Sequence, residues 1–187
     1  MYGRAVNAAQ VLDHLTRGAG PSNQLEAAAA PGVYAYFLAA GSSLPGMSNP
    51  GSDALYIGVS SNLSEREFDT HFAEGKTGFS TLRRSIGAIL KDQLRLRVRP
   101  RGIGASKTDF TNFRFDDEGE RRLSAWMLEH LRVAVEPVPQ PDELERQLIE
   151  LACPPLNLKG WPNPEAPTIR ALRRACADEA RRDQPRE

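Results

Sequence analysis

Two short runs with a period of two, PGVYAYF at residues 31–37 and ALYIGVS at 54–60, constrain this 187-residue chain more than anything else in it. Such alternation indicates β-strand, because successive side chains point to opposite faces. Between them lies AGSSLPGMSNPGSD, too rich in Gly, Ser and Pro for regular structure, so the runs are read as an antiparallel hairpin across a long loop. In the first strand Val33, Ala35 and Phe37 supply an apolar face, which leaves both phenols, Tyr34 and Tyr36, on the other. Tyrosines on the open face of a half-buried strand are ordinary sheet composition and carry no chemistry by themselves.

Around the hairpin the period shifts to about 3.6. Val6, Ala9, Val11, Leu12 and Leu15 predict a short first helix, stopped by GAGPSN. NLSEREFDTHF predicts a second, with Leu63, Phe68 and Phe72 inward, Asn62 as cap and Glu65 reaching back. STLRRSIGAILKDQ predicts a third, capped by Ser80, in which Gly87 either costs stability or permits close packing. LRLRVRPR alternates strictly and is read as a strand with one cationic face, Arg95, Arg97 and Arg99, paired with DFTNFRF across a turn at 102–104. A helix at DDEGERRLSAWMLEH, a strand at LRVAVEPV, a helix at PDELERQLIELA and a helical tail anchored by Trp161 complete the chain. The expected fold is an α/β (α+β) sandwich: a small, mostly antiparallel sheet of strands 33–38, 54–59 and 131–138 with helices on both faces.

Composition narrows the setting. Formal net charge is zero, but between residues 82 and 101 seven Lys or Arg face one acid, while between 109 and 150 eleven acids face five arginines. The basic segment, with Arg83, Arg84, Arg95, Arg97 and Arg99, is read either as a surface that tracks phosphates or as a solvated face that protects a strand edge. Cys153 and Cys176 lack zinc-site spacing and indicate no disulfide framework. The polar start and the lack of a long apolar run predict a soluble, cytoplasmic protein without membrane contact.

Several short motifs then fall in one order. GVY at 32–34 and YIG at 56–58 are followed by VSSNLSER, which puts Arg66 eight residues beyond Gly58, and His71 follows five residues later. Far downstream ELERQLIELACPPLN places Glu145 three residues before an LI pair and Asn157 after a double proline. Each tripeptide is weak alone, but the ordered set resembles the GIY-YIG nuclease superfamily, over residues 31–157. Val33 stands where the family has isoleucine, a change that conserves shape. The resemblance implies a nuclease domain at 31–160, with an insertion around 76–118, between an N-terminal helical extension at 1–30 and a C-terminal helix and tail at 161–187.

The resemblance also implies a chemistry. A divalent ion, Mg²⁺ or Mn²⁺, needs only one or two protein carboxylates, so Glu145 suffices as its ligand. Arg66 would grip the oxygens of the attacked phosphate. Tyr34 is the candidate to take a proton from water, with Tyr56 orienting it; a phenol of ordinary pKa, about 10, is a weak base at neutrality and would need help from Arg66, the metal or His71. Gly58, Asn62 and Asn157 are read as supporting residues. The leading expectation is an endonuclease that hydrolyses DNA phosphodiesters with one metal and no covalent intermediate, as a homodimer if it cuts both strands. The alternatives are a non-cleaving nucleic-acid-binding module on the same fold and a protein-interaction domain.

Overall fold

The computed structural model describes residues 7–47, 54–66 and 73–182, and the side chains of all of these except 65 and 66. Its elements are α1 (Ala8–Gly18), β1 (Gly32–Leu38), β2 (Ala54–Ser60), α2 (Leu63–Arg66), α3 (Thr81–Ile89), β3 (Val98–Arg99), α4 (Lys107–Thr111), β4 (Arg114–Phe115), α5 (Asp117–His130), β5 (Leu131–Pro137), α6 (Pro141–Ala152) and α7 (Ala166–Arg182). The main sheet has the order β2-β1-β5, antiparallel throughout, and β3 with β4 forms a separate two-residue ladder. The α+β class expected from the sequence is the class observed.

Because β1 is the central strand of a three-layer arrangement, it has no open face. Tyr34, Tyr36 and Val133 pack with Leu82 and Ile86 of α3, Met127 of α5 and Ile169 of α7. Val33, Ala35, Phe37 and Ile57 pack with Val11 and Leu15 of α1 and Leu144 and Leu148 of α6. The half-buried reading of β1 is therefore corrected: Tyr34 is 1% and Tyr36 0% exposed. Alternation reports two faces of different polarity, whereas a sheet covered on both sides accepts a phenol wherever its ring packs.

The sheet's edges are closed by loops, which removes unpaired strand groups from water. Beside β2, Leu156 N donates to Leu55 O at 2.9 Å. The Asn157 amide accepts from Ile57 N and donates to Ile57 O, both at 2.8 Å. Beside β5, Gly20 and Val133 exchange two backbone hydrogen bonds.

The run read as a cationic strand is mostly a turn. Only Val98 and Arg99 pair, with Phe115 and Arg114, and α4 occupies part of the segment read as their partner strand. Arg95 sits at φ 50°, and the Arg122 guanidinium holds the carbonyls of Leu94 and Arg95, each at 2.7 Å. Leu96 and Val98 are still buried, so the apolar half of the alternation is met by a turn against α5 at Leu96 and a two-residue ladder at Val98 rather than by one continuous strand. Arg95 and Arg97 are exposed and Arg99 half-buried, and they do not share one strand face. Gly87 serves close packing, since a Cβ there would stand 2.3 Å from the Phe115 ring. Cys176 is a buried thiol, pushed up to about 12 by desolvation, and both cysteines are free.

Candidate active site

Of the motif residues, Tyr56, Glu145 and Asn157 line one cleft beside β2, with Tyr34 and Gly58 packed behind Tyr56. Tyr34 lies opposite Gly58 in the β1–β2 register, and its phenol rests directly on that glycine. A Cβ at Gly58 would stand 2.5 Å from the Tyr34 hydroxyl, so only glycine leaves room for the ring. Tyr56, two residues earlier on β2, faces the Tyr34 ring with centroids 6.2 Å apart, while Tyr36 meets Tyr34 edge-on at 6.0 Å. Such pairs add about 0.5–1.5 kcal/mol each beyond burial and hold the rings in fixed orientation. Tyr34, to which the sequence reading gives the proton, is enclosed; Tyr56 is the tyrosine on the wall of the adjacent cleft.

Directly after β2, α2 begins at Leu63, and its first turn is stitched to the chain before β1: Leu63 N donates to Ala30 O and Ser64 N to Ala28 O. Leu63 is fully buried against Gly32, where a Cβ would stand 2.6 Å from its Cδ1. These contacts place the backbone of Arg66 at the end of α2. Its side chain, and His71, Phe68 and Phe72 altogether, lie outside what is described.

Glu145 comes from α6. Pro141 opens that helix, Asp142 and Glu143 suit its first turn, and Leu144, Leu148, Ile149 and Ala152 bury one side. Cys153, left-handed at φ 50°, ends the helix and turns the chain into the double proline and Asn157. Glu145 and Ile149, one helical turn apart, thereby line a cleft of about 680 Å³ together with Tyr56, Asn157 and, from α7, Arg170 and Arg173. Burial, and secondarily Asp142, raises the Glu145 carboxyl above the ordinary glutamate range. Among the described residues no cation pairs with it.

The cleft's other charges are cationic. Arg173 is half-buried, held below the usual arginine range by desolvation, and among the described residues its guanidinium makes no hydrogen bond or ion pair. Arg170 donates to Leu158 O, and Lys159 stands at the rim. The sequence reading overlooked this group because the tail was taken only as a helix. The available signal was Arg170 and Arg173 three apart, hence on one side of α7, the side that also carries buried Cys176 and Ala177.

Arg83 and Arg84, read as contacts to a nucleic-acid backbone, are both inside. Arg83 is 0% exposed; its Nη2 donates to Glu120 at 2.8 Å and Ser124 at 3.0 Å, and its Nε to Thr77 at 3.2 Å. That corrects the reading, because a guanidinium fully enclosed and paired with a carboxylate cannot also meet a solvent-side phosphate. Arg84 is 7% exposed and meets no carboxylate among the described residues. It donates to the carbonyls of Thr77 and Gly78 and to Thr81, a residue of the cleft wall. Burial, with Arg173 and Arg101 nearby, lowers it to about 10, so it stays charged at neutral pH.

Among the described residues no three His, Cys, Asp or Glu side chains gather as a metal cluster. A single-carboxylate site fits what is present: Glu145 is desolvated, pairs with no cation among the described residues and opens on a cleft with room for waters and phosphate oxygens. No helix among the described residues is long and apolar enough to cross a membrane.

Among curated proteins and among solved structures, nothing matches the chain. A family model does: residues 33–177, from the start of β1 to within α7, match the GIY-YIG catalytic domain. That span contains the tyrosine pair, the glycine beneath it, α2, Glu145 and the cationic side of α7, so the chain belongs to the GIY-YIG catalytic domain family, whose members are phosphodiester hydrolases.

Proposed function

We propose that the protein is a divalent-metal-dependent endonuclease that hydrolyses DNA phosphodiester bonds by attack of water. The observation that carries this reading is Glu145: a desolvated carboxylate with no cation paired to it among the described residues, in one cleft with Tyr56 and with Lys159, Arg170 and Arg173, which pair with no described acid. A surface glutamate on an amphipathic helix would be solvated, and a module that only grips nucleic acid has no use for a carboxylate there.

The chain's own residues divide the work. Glu145 would hold the metal, which when bound stabilises charge on the leaving oxygen. Arg66, carried by α2, grips non-bridging oxygens of the attacked phosphate. Tyr56 meets the attacking water and takes or relays its proton; Tyr34, behind it, keeps Tyr56 in place through the tilted contact of the two rings. His71 is assigned to share that proton. Asn157 fixes β2 at Ile57, between Tyr56 and Gly58, and so sets the height of the phenol over the cleft.

Plasmid, single-stranded and branched DNA incubated with Mg²⁺ or Mn²⁺ should be nicked or cut, and EDTA should stop the reaction. Glu145→Ala should lower cleavage at least hundredfold while DNA binding in EDTA persists. Cleavage by Glu145→Ala at the wild-type rate would remove the proposal's basis.

A further inference from the structure

The family motif accounts for one wall of the cleft and leaves the α7 wall without a task. That wall is built and costly: Arg173 is half-buried with no acid among the described residues, and Arg84, behind Thr81, is nine-tenths buried with none either. The Arg84 Nε has no hydrogen-bond partner among the described residues. Both guanidiniums are desolvated, Arg173 adds to the cost of charging Arg84, and both feel Tyr56. Charges buried side by side without a counter-ion are retained where an anion completes them. Arg83 shows the contrast, since a neighbouring position on the same helix is neutralised by Glu120.

The charge exceeds what one phosphate requires. Each phosphodiester carries one negative charge, whereas Lys159, Arg170 and Arg173 all line the cleft and, among the described residues, Glu145 is the only carboxylate in its lining. The volume, about 680 Å³, also exceeds one ester linkage and suits a longer piece of strand.

Building on the endonuclease reading, we infer that Arg173, backed by Arg84 and flanked by Arg170, holds a phosphate adjacent to the one that is cleaved. The α7 wall is thus a second phosphate subsite. It grips the substrate strand through its backbone, fixes which linkage lies over Glu145 and Tyr56, and makes the enzyme prefer substrates with at least two consecutive phosphates.

The test uses the full chain, wild type and Arg173→Gln, with two substrates: a short fluorescent DNA oligonucleotide, and bis(4-nitrophenyl) phosphate, a diester with a single phosphate. Binding of the oligonucleotide in EDTA at several salt concentrations should be weakened about tenfold in Arg173→Gln, with a salt slope smaller by about 1. Metal-dependent oligonucleotide cleavage should fall by a similar factor in kcat/KM, while hydrolysis of the single-phosphate diester stays at the wild-type rate. Arg173→Lys, the safer variant for folding, should keep the slope and lose several-fold in affinity, because the fork is gone and the charge remains. Arg17→Gln, whose residue pairs with Asp13 on α1, is the control that moves neither readout. Unchanged affinity and slope in Arg173→Gln, or an equal fall on both substrates, overturns the inference. A wild type that cuts neither substrate refutes the endonuclease reading instead, and the binding arm, which needs no cleavage, tells the two failures apart.

Discussion

Arg83 and Arg84 are adjacent in sequence, buried on the same helix, and opposite in electrostatic design. Arg83 lies in a closed network: Glu120 takes its Nη2 and the Thr77 hydroxyl on one oxygen and Phe115 N on the other, and Ser124 takes a second donor bond. Nearly every polar group has a partner, and α3, α5, β4 and the turn at Thr77–Phe79 are tied at one point. Arg84 shares the turn but among the described residues meets only neutral oxygens, with Arg173 beyond. A compensated buried charge organises a core, whereas an uncompensated one beside a cleft is available to a ligand. Burial alone therefore does not separate a structural arginine from a functional one; the presence of a carboxylate does.

The largest effect expected from this comparison is in the closed network. Glu120→Ala leaves Arg83 charged and unpaired, and should cost about 3–5 kcal/mol in urea unfolding. Arg83→Met with Glu120→Leu, which removes both charges, should recover most of that loss. A single variant as stable as wild type would show that the pair is not what fastens α3 to α5.

Next in size is Gly58→Ala. The added methyl must displace the Tyr34 phenol and should cost about 1–3 kcal/mol of stability. Cleavage should fall further than stability explains, since Tyr56 leans on the Tyr34 ring; equal activity at a temperature where the variant is folded would detach the tyrosine pair from catalysis.

On the open side, Arg173→Met should change unfolding stability by no more than about 0.5 kcal/mol, because it removes a desolvated cation and its repulsion with Arg84 along with some packing. A loss comparable to that of Glu120→Ala would place Arg173 with Arg83 instead of with the cleft.

The smallest effect concerns Glu145. Its folded-state pKa is raised, so its contribution to stability is present below the unfolded pKa and lost as pH rises through the folded value. Glu145→Gln should therefore raise Tm slightly at pH 7 in the absence of metal, with the gain vanishing below about pH 4, where an ordinary glutamate is protonated. A lower Tm at pH 7 would mean that the ionised carboxylate has a partner in the protein.

Much of the sheet was legible in the sequence because period-two runs and Gly/Pro-rich breaks act locally: β1, β2 and β5 fall within a residue or so of their expected bounds. The cationic strand failed for the same local reason. Alternation needs only that Leu96 and Val98 reach a core, and a turn held by Arg122 meets that demand as well as a ladder does. Arg83 and Arg84 were misplaced because a charge count treats every arginine as solvent-facing, and the acid that buries Arg83 lies 37 residues away.

By itself the sequence determined the antiparallel hairpin and the ordered motif from Tyr34 to Asn157, since each depends on residue type and order along the chain. Only the tertiary structure decided which tyrosine reaches the cleft, which arginine is neutralised, and that α7 supplies the facing wall. Those outcomes depend on which surfaces become neighbours when three layers close, and burial and charge compensation are properties of neighbours in space.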